Sequence, residues 1–438
     1  MGWLSGQPIF SFLSVFTHYC KLTMIPLKST LLVLLITASV ILLNRCGNDN
    51  VPMEEGDLKT SKVIFEQFAG SASCAGCHKN IFEKHQFTEH HLTSQPATGQ
   101  AILGPFERGG NSFQFDALNK VVMEKRDSGF YQVHYQNGSE ANRGRFDLVI
   151  GSGRKGQSYL SWLQEHYLVQ MPITYFTPAA QWSNSPGYPP TKIVYNRPIT
   201  SRCLECHTTF AATIPGQATP REAFDKNRIL LGVECERCHG PGAQHVSFQT
   251  KNPSTTEARY IVDPGKLSRE RQLDLCALCH GGQLAKTKPS FQYAAGDTLT
   301  NFFSFRNTIF TAGNIDVHGN QYGLLSLSKC FTSSAMTCTS CHNVHEKEFN
   351  QTAVFSQRCQ NCHRQDGDKI CKMTASLGPA ITKNCIDCHM PKQPSHAVAV
   401  FLEGATTPTP ALMRTHYIKV YPEEVKKVAD WLKKQKPS

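Results

Sequence analysis

Seven times along this chain, two cysteines stand three positions apart with a histidine directly after the second. The segments are CAGCH from Cys74, CLECH from Cys203, CERCH from Cys235, CALCH from Cys276, CTSCH from Cys338, CQNCH from Cys359 and CIDCH from Cys385. This is the attachment signature of c-type haem. Two thiols that add to the two vinyl groups on one haem edge must lie a short, fixed distance apart. The next residue then falls under the ring, where its imidazole reaches the iron. Zinc sites and thioredoxin-like redox sites also use paired cysteines, but neither needs histidine in the next position. With only 18 histidines in 438 residues, chance does not place one there seven times. Seven covalent haems are therefore expected. Their thioether pairs are Cys74 with Cys77, Cys203 with Cys206, Cys235 with Cys238, Cys276 with Cys279, Cys338 with Cys341, Cys359 with Cys362, and Cys385 with Cys388. Their proximal iron ligands are His78, His207, His239, His280, His342, His363 and His389.

The sixth position on each iron decides between electron transfer and chemistry on a bound molecule. Six further histidines have the better contexts: His90, His245, His318, His345, His396 and His416. His345 follows His342 by three residues, and His245 follows His239 by six across Gly-Pro-Gly. A ring tethered at one edge keeps such close neighbours from its far face, so each is expected to serve an adjacent haem. His396 lies seven residues after His389, while His318 and His416 sit in DVHGN and MRTHYI. His90 stands beside His91 in FTEHH, and sequence barely separates the two. His85, His134 and His166 have the weakest contexts; His134 reads as a strand residue in YQVHY. Six candidates face seven irons. Either a weaker histidine completes the set or one haem stays open and is the place for catalysis.

SCAGCHKNIFEKHQFTEHH resembles the first haem segment of the cytochrome c-554 and doubled-CxxCH superfamily, where the motif precedes a helix ending in a ligand histidine. His90 matches that ligand, and His85 stands where the family often has tryptophan. CERCHGPGAQH is similar to the same family's CHGPG-x-x-H segment, with His245 at its ligand position. CTSCHNVH and CIDCHMP are similar to motifs widespread among multihaem cytochromes. The resemblance covers the haem-bearing parts and not the stretch from about Gln95 to Thr200. Electron carriers and enzymes acting on nitrogen or sulfur compounds share these motifs, so the resemblance implies haem chemistry and not one reaction.

Around the motifs, the chain reads as five segments. Residues 1–46 carry the apolar run LLVLLITASVILL, too short for a comfortable membrane span and suited to a secretory signal peptide. Met24 gives a good alternative start, and Cys46 follows Leu43 as in a lipoprotein signal, with Arg45 departing from the usual small residue. Residues 47–101 hold the first haem segment, 102–200 a haem-free insert, 201–337 haems two to four, and 338–438 haems five to seven with a terminal helix. In the insert, VVMEKRDSGFYQVHYQNG reads as a hairpin around Asp127–Gly129, and RFDLVIGSGRKGQSYLSWL and HYLVQMPITYF as strands. GSGRKGQS lacks the lysine of a phosphate-binding loop, because Gln157 stands there, and reads as a turn between strands. YPEEVKKVADWLKKQKPS reads as an amphipathic helix with Val425, Val428 and Leu432 on one face.

The expected fold is a mainly α and irregular multihaem cytochrome c, with short helices packed around haems, plus this β-rich insert. Cys330 and Cys371 remain as an even pair, expected to form a disulfide in an oxidising compartment. The formal charge of +11 is spread along the chain, and haem propionates offset it, so no nucleic-acid partner is expected. The functional expectation is an exported electron carrier, periplasmic or at the cell surface. It would be tethered to a membrane through Cys46 and would serve cytochromes, a quinol oxidase module or a terminal reductase. The alternative is a multihaem oxidoreductase with one open haem, acting on nitrite, hydroxylamine or a sulfur oxyanion.

Overall fold

In the haem-free insert, alternating apolar and polar residues build antiparallel sheets, because successive side chains on a strand point to opposite faces. The computed structural model describes residues 62–216, 221–305, 313, 315–363 and 371–435; the leader, Cys46 and the lipid-anchor expectation lie outside them. The strands are β1 (Ser94–Pro96), β2 (Ser112–Gln114), β3 (Asn119–Arg126), β4 (Gly129–Gln136), β5 (Ser139–Arg145), β6 (Leu148–Ile150), β7 (Ser158–Leu163), β8 (Tyr167–Gln170), β9 (Ile173–Phe176), β10 (Gln181–Asn184) and β11 (Arg197–Pro198). One sheet has the order β2-β3-β4-β5, a second β1-β6-β7-β8-β11, and β9 pairs with β10. The expected hairpin is present, with Arg126 paired to Gly129 across a two-residue turn. GSGRKGQS joins β6 to β7, with Gly151 and Gly153 at positive φ and no helix after it.

The inward faces of these sheets share one core. Phe113, Val121 and Met123 from the four-stranded sheet meet Val149 and Tyr159 from the five-stranded sheet, and Ile173 and Trp182 join them. Each such side chain contributes about 1.5–3 kcal/mol by leaving water. A buried amide completes the contact. Gln132 on β4 donates from Nε2 to the Ile173 carbonyl at 2.7 Å, and its Oε1 accepts from the Ile173 N–H at 2.9 Å. The side chain thus acts as one more rung of backbone pairing between elements that are not neighbours in a sheet.

The expectation of a mainly α and irregular fold is corrected here: helix makes up 31% and strand 25%. Strands are not confined to the insert. Among the haem motifs, β12 (Thr208–Thr213) pairs with β13 (Phe224–Leu231), β14 (Leu284–Lys286) with β15 (Phe303–Phe305), and β16 (Lys392–Val400) with β17 (Thr409–Arg414). Haem faces offer apolar contact but no hydrogen bonds. The connecting backbone must still pair its N–H and C=O groups, and a hairpin does so locally.

Helices carry most of the motifs. They lie in Ser71–His85, Ser201–His207, Cys235–His239, Arg269–His280, Thr352–Gln360 and Cys385–His389, while Cys338–Ser340 is a single tight turn. The first of these bends at His78, whose backbone leaves helical geometry. Pro422–Gln435 forms the expected terminal helix; Val428, Ala429 and Leu432 pack on Leu377 and Ile381, and Trp431 faces outward.

Replacing Gln132 by leucine leaves both Ile173 groups buried without partners. Each such group costs about 1–3 kcal/mol, so stability should fall by roughly 2–5 kcal/mol. A lower denaturant midpoint of the β-sheet circular-dichroism signal, with an unchanged Soret band, is the expected result.

Candidate functional site

All seven motifs open onto one cavity of about 3200 Å³, several times the roughly 300–1,000 Å³ of a single-ligand pocket. Every motif cysteine and every proximal histidine lies on its wall. The histidines are oriented from behind. Nδ1 of His239 lies 2.9 Å from the Val262 carbonyl, that of His389 3.0 Å from the Lys419 carbonyl, and that of His280 3.0 Å from Gln321 Oε1. His207 Nδ1 is 3.0 Å from the Thr93 hydroxyl, and His342 Nδ1 is 3.7 Å from Glu348. A ring with its Nδ1 proton engaged presents Nε2 as the free donor, the arrangement that fixes tautomer and direction for a metal ligand.

A metal–imidazole bond is about 2 Å, and a ring nitrogen lies about 1 Å from its ring centre. Two imidazoles on opposite faces of one iron therefore have centres roughly 6 Å apart. Three pairs meet this spacing: His90 with His280 at 6.2 Å, His345 with His239 at 6.1 Å, and His416 with His342 at 6.2 Å. In each pair one member belongs to a motif and the other comes from a distant segment. Burial, with the facing imidazole second, pushes His90 and His416 down to about 4. Burial, with His318 as the next cause, does the same to His207. The neutral ring is the form that binds metal.

Spacing alone is not sufficient. His85 and His91 also stand 6.1 Å apart, but Glu234 lies against both, 3.6 Å from His85 and 2.5 Å from His91. Sequence could not separate His90 from His91; here His90 faces a motif histidine and His91 is bound to a carboxylate. His245 is on the cavity wall, with Nδ1 2.8 Å from the Arg259 carbonyl. His318 is on the wall too. His396 is exposed on β16 and takes no part in the wall. His134 is 2.9 Å from Asn119 Oδ1 on the insert, and His166 lies in the β7–β8 turn. Among the described residues, His78, His207, His363 and His389 have no imidazole facing them at iron spacing, and no three His, Cys, Asp or Glu side chains converge on a common point as in a zinc site.

The motifs also meet one another. The Cys74 thiol is in hydrogen-bonding contact with Cys235, Cys206 with Cys279, Cys276 with Cys338, and Cys359 with Cys385. Arg358 donates to the Cys341 carbonyl at 2.7 Å, joining the fifth and sixth motifs, and pairs with Glu348. Cys330 and Cys371 are free thiols, which corrects the disulfide expectation. Cys330 acts electrostatically on Cys341 and Cys371 on Cys388, so the two stand at different motifs.

Sequence reading missed the acidic residues inside the motifs. Glu236 of CERCH is buried, and its carboxylate accepts from Ala69 N–H at 2.7 Å, Gly70 N–H at 2.8 Å and Gly242 N–H at 2.7 Å. It fastens the entry to the first haem helix and the end of the Gly-Pro-Gly turn onto the third motif. Glu205 of CLECH, also buried, accepts from Phe291 N–H at 2.8 Å, and Asp387 of CIDCH pairs with Arg414. The available signal was the acid itself, in the variable middle of three motifs.

A sequence profile described as "Cytochrome c554 and c-prime" matches residues 186–240 and 337–408. The chain is 25% identical over 199 residues to the multiheme cytochrome MtrA of Shewanella baltica (strain OS185), a match covering 44% of this chain and 53% of that protein. It thus spans about half the length of that curated relative. Among solved structures, the outer cell wall cytochrome OcwA is similar with a TM-score of 0.50 at 15% identity, covering 82% of this chain and 81% of the other. At that identity the likeness concerns the fold. Histidines that face each other at iron spacing, on a chain akin to haem proteins in both sequence and fold, make this a multihaem c-type cytochrome.

Proposed function

We propose that this protein is an exported, seven-haem cytochrome that carries electrons between redox partners along a continuous row of haems. The observation that carries this reading is the set of thiol contacts between motifs. Where two haem-bearing cysteines touch, the ring edges they hold must lie close together. The contacts connect the first motif with the third, the second with the fourth, the fourth with the fifth, and the sixth with the seventh. His345, three residues after the fifth motif, faces the third motif's histidine, and Arg358 ties the fifth to the sixth. Every motif is thereby connected to the rest.

Bound haem supplies a one-electron iron couple. The chain's own residues bind it through paired cysteines, and Nδ1 contacts aim His207, His239, His280, His342 and His389. In this reading His280, His239, His342 and His207 receive His90, His345, His416 and His318 as second ligands, and His245 serves the first haem. The apolar leader supports export, to a compartment where cytochromes, a quinol oxidase module or a terminal reductase are the partners, with attachment through Cys46. No helix among the described residues is long and apolar enough to cross a membrane.

A pyridine haemochrome measurement on the purified protein should give seven haems per chain; five or fewer would refute the row. Film voltammetry should then show one broad, fully reversible envelope, with all seven haems exchanging electrons with the electrode. Replacing His345 or His416 by alanine should leave the haem count unchanged. Each variant should convert one haem, about one seventh of the ferric signal, from low to high spin in the EPR spectrum. An unchanged spectrum would remove that residue from the ligand set.

A further inference from the structure

We propose that the haem held by Cys385, Cys388 and His389 keeps its sixth iron position for a small exogenous anion. The inference rests on the seven-haem reading above. His389 is fixed for iron binding, since its Nδ1 contacts the Lys419 carbonyl at 3.0 Å. The next histidine along the chain, the distal candidate His396, is held elsewhere. Asp316 accepts from His396 N–H at 2.6 Å, Ala397 N–H at 3.0 Å and the Ser395 hydroxyl at 2.8 Å, anchoring this part of β16 while the His396 ring stays exposed and off the cavity wall.

The remaining imidazoles are engaged at other places. His90, His345 and His416 face other motif histidines, and His318 acts on His207. His85 and His91 share Glu234, and His134 is bound on the insert. His245 belongs to the helix Ala243–Lys251, which packs on the Phe65–Gln67 turn ahead of the first motif. His166 lies in the β7–β8 turn of the insert, so no histidine among the described residues faces His389 at iron spacing; His363 likewise has none, and the lysines near His389 single out its site.

The surroundings suit an anion. Lys419 is hydrogen-bonded through its backbone to His389, Lys392 follows it by three residues, and Lys372 adjoins Cys371, which acts on Cys388. All three lysines line the cavity, and among the described residues none has an ion-pair partner. The nearby acids are already matched, Asp387 by Arg414 and Glu424 by Lys427. Lys419 Nζ lies 4.9 Å from the centres of the Tyr417 and Tyr421 rings, while Lys392 and Lys372 stand on the cavity wall without an acid partner among the described residues; a ferric centre on this wall would take a small monoanion such as azide, cyanide or nitrite.

Azide is the probe, added to the oxidised holoprotein and followed by EPR and electronic absorption. At least one haem in seven should be high-spin and should turn low-spin on saturable azide binding. His396→Ala should leave the high-spin fraction unchanged. Lys392→Glu combined with Lys419→Glu should weaken azide binding by about tenfold, through loss of local positive charge, at unchanged haem count. A seven-haem protein that is wholly low-spin overturns the proposal and leaves electron transfer standing, and a methionine-to-iron charge-transfer band from Met373, Met390 or Met413 does the same. So does a gain of one high-spin haem in His396→Ala, or azide affinity indifferent to the lysine variant. Five or fewer haems per chain overturns both readings.

Discussion

A flat ring tethered along one edge has two faces, and the short segment that tethers it covers only one of them. Every iron that is to carry two protein ligands must draw the second from another part of the chain. This constraint organises the molecule. His90 reaches the fourth motif from just after the first, His345 reaches the third from just after the fifth, and His416 comes from beyond the last motif to the fifth. These pairs tie the first haem segment to the fourth motif, the fifth to the third and the end of the chain to the fifth, and the wall of one cavity carries all seven motifs.

The protein frame around that cavity is held by groups that do not touch haem. Glu236 gathers three backbone N–H groups from two segments, and Asp316 gathers three donors from β16 as well as the His318 N–H at 2.7 Å. Burial opposes the charge of Asp316, yet these hydrogen bonds hold its carboxyl below the usual carboxylate range. Such multiply hydrogen-bonded carboxylates fix direction more firmly than apolar contacts, which tolerate sliding. The hairpins between motifs do similar service, pairing backbone that haem faces cannot satisfy. They also explain why a reading based on apolar surface alone undercounted strands.

The haem-free sandwich has its own core, centred on Met123, Tyr159 and Trp182 and closed by Gln132. It needs no cofactor to account for its packing, and its strands follow the alternation of the sequence closely. The chain therefore combines two ways of staying folded: one part buries its own side chains, and the other arranges ligands around a space larger than any single pocket.

The sequence by itself determined the chemistry. Cys-x-x-Cys-His is a covalent requirement met within five residues, so no fold is needed to read it, and the strand alternation of the insert and the amphipathic tail are equally local. Which histidines face a motif histidine is not local, and only the tertiary structure decided it. His90 and His91 are neighbours with the same surroundings in sequence; what separates them is that one points at His280 and the other at Glu234. His396 is the next histidine after His389, but it lies where the pairing of β16 with β17 is interrupted, and Asp316 holds its backbone N–H. Cys330 and Cys371 were paired by arithmetic, but the fold put them beside different motifs. Spacing along a chain limits how far a side chain can reach, but its direction is set by hydrogen bonds and packing from segments far away in sequence.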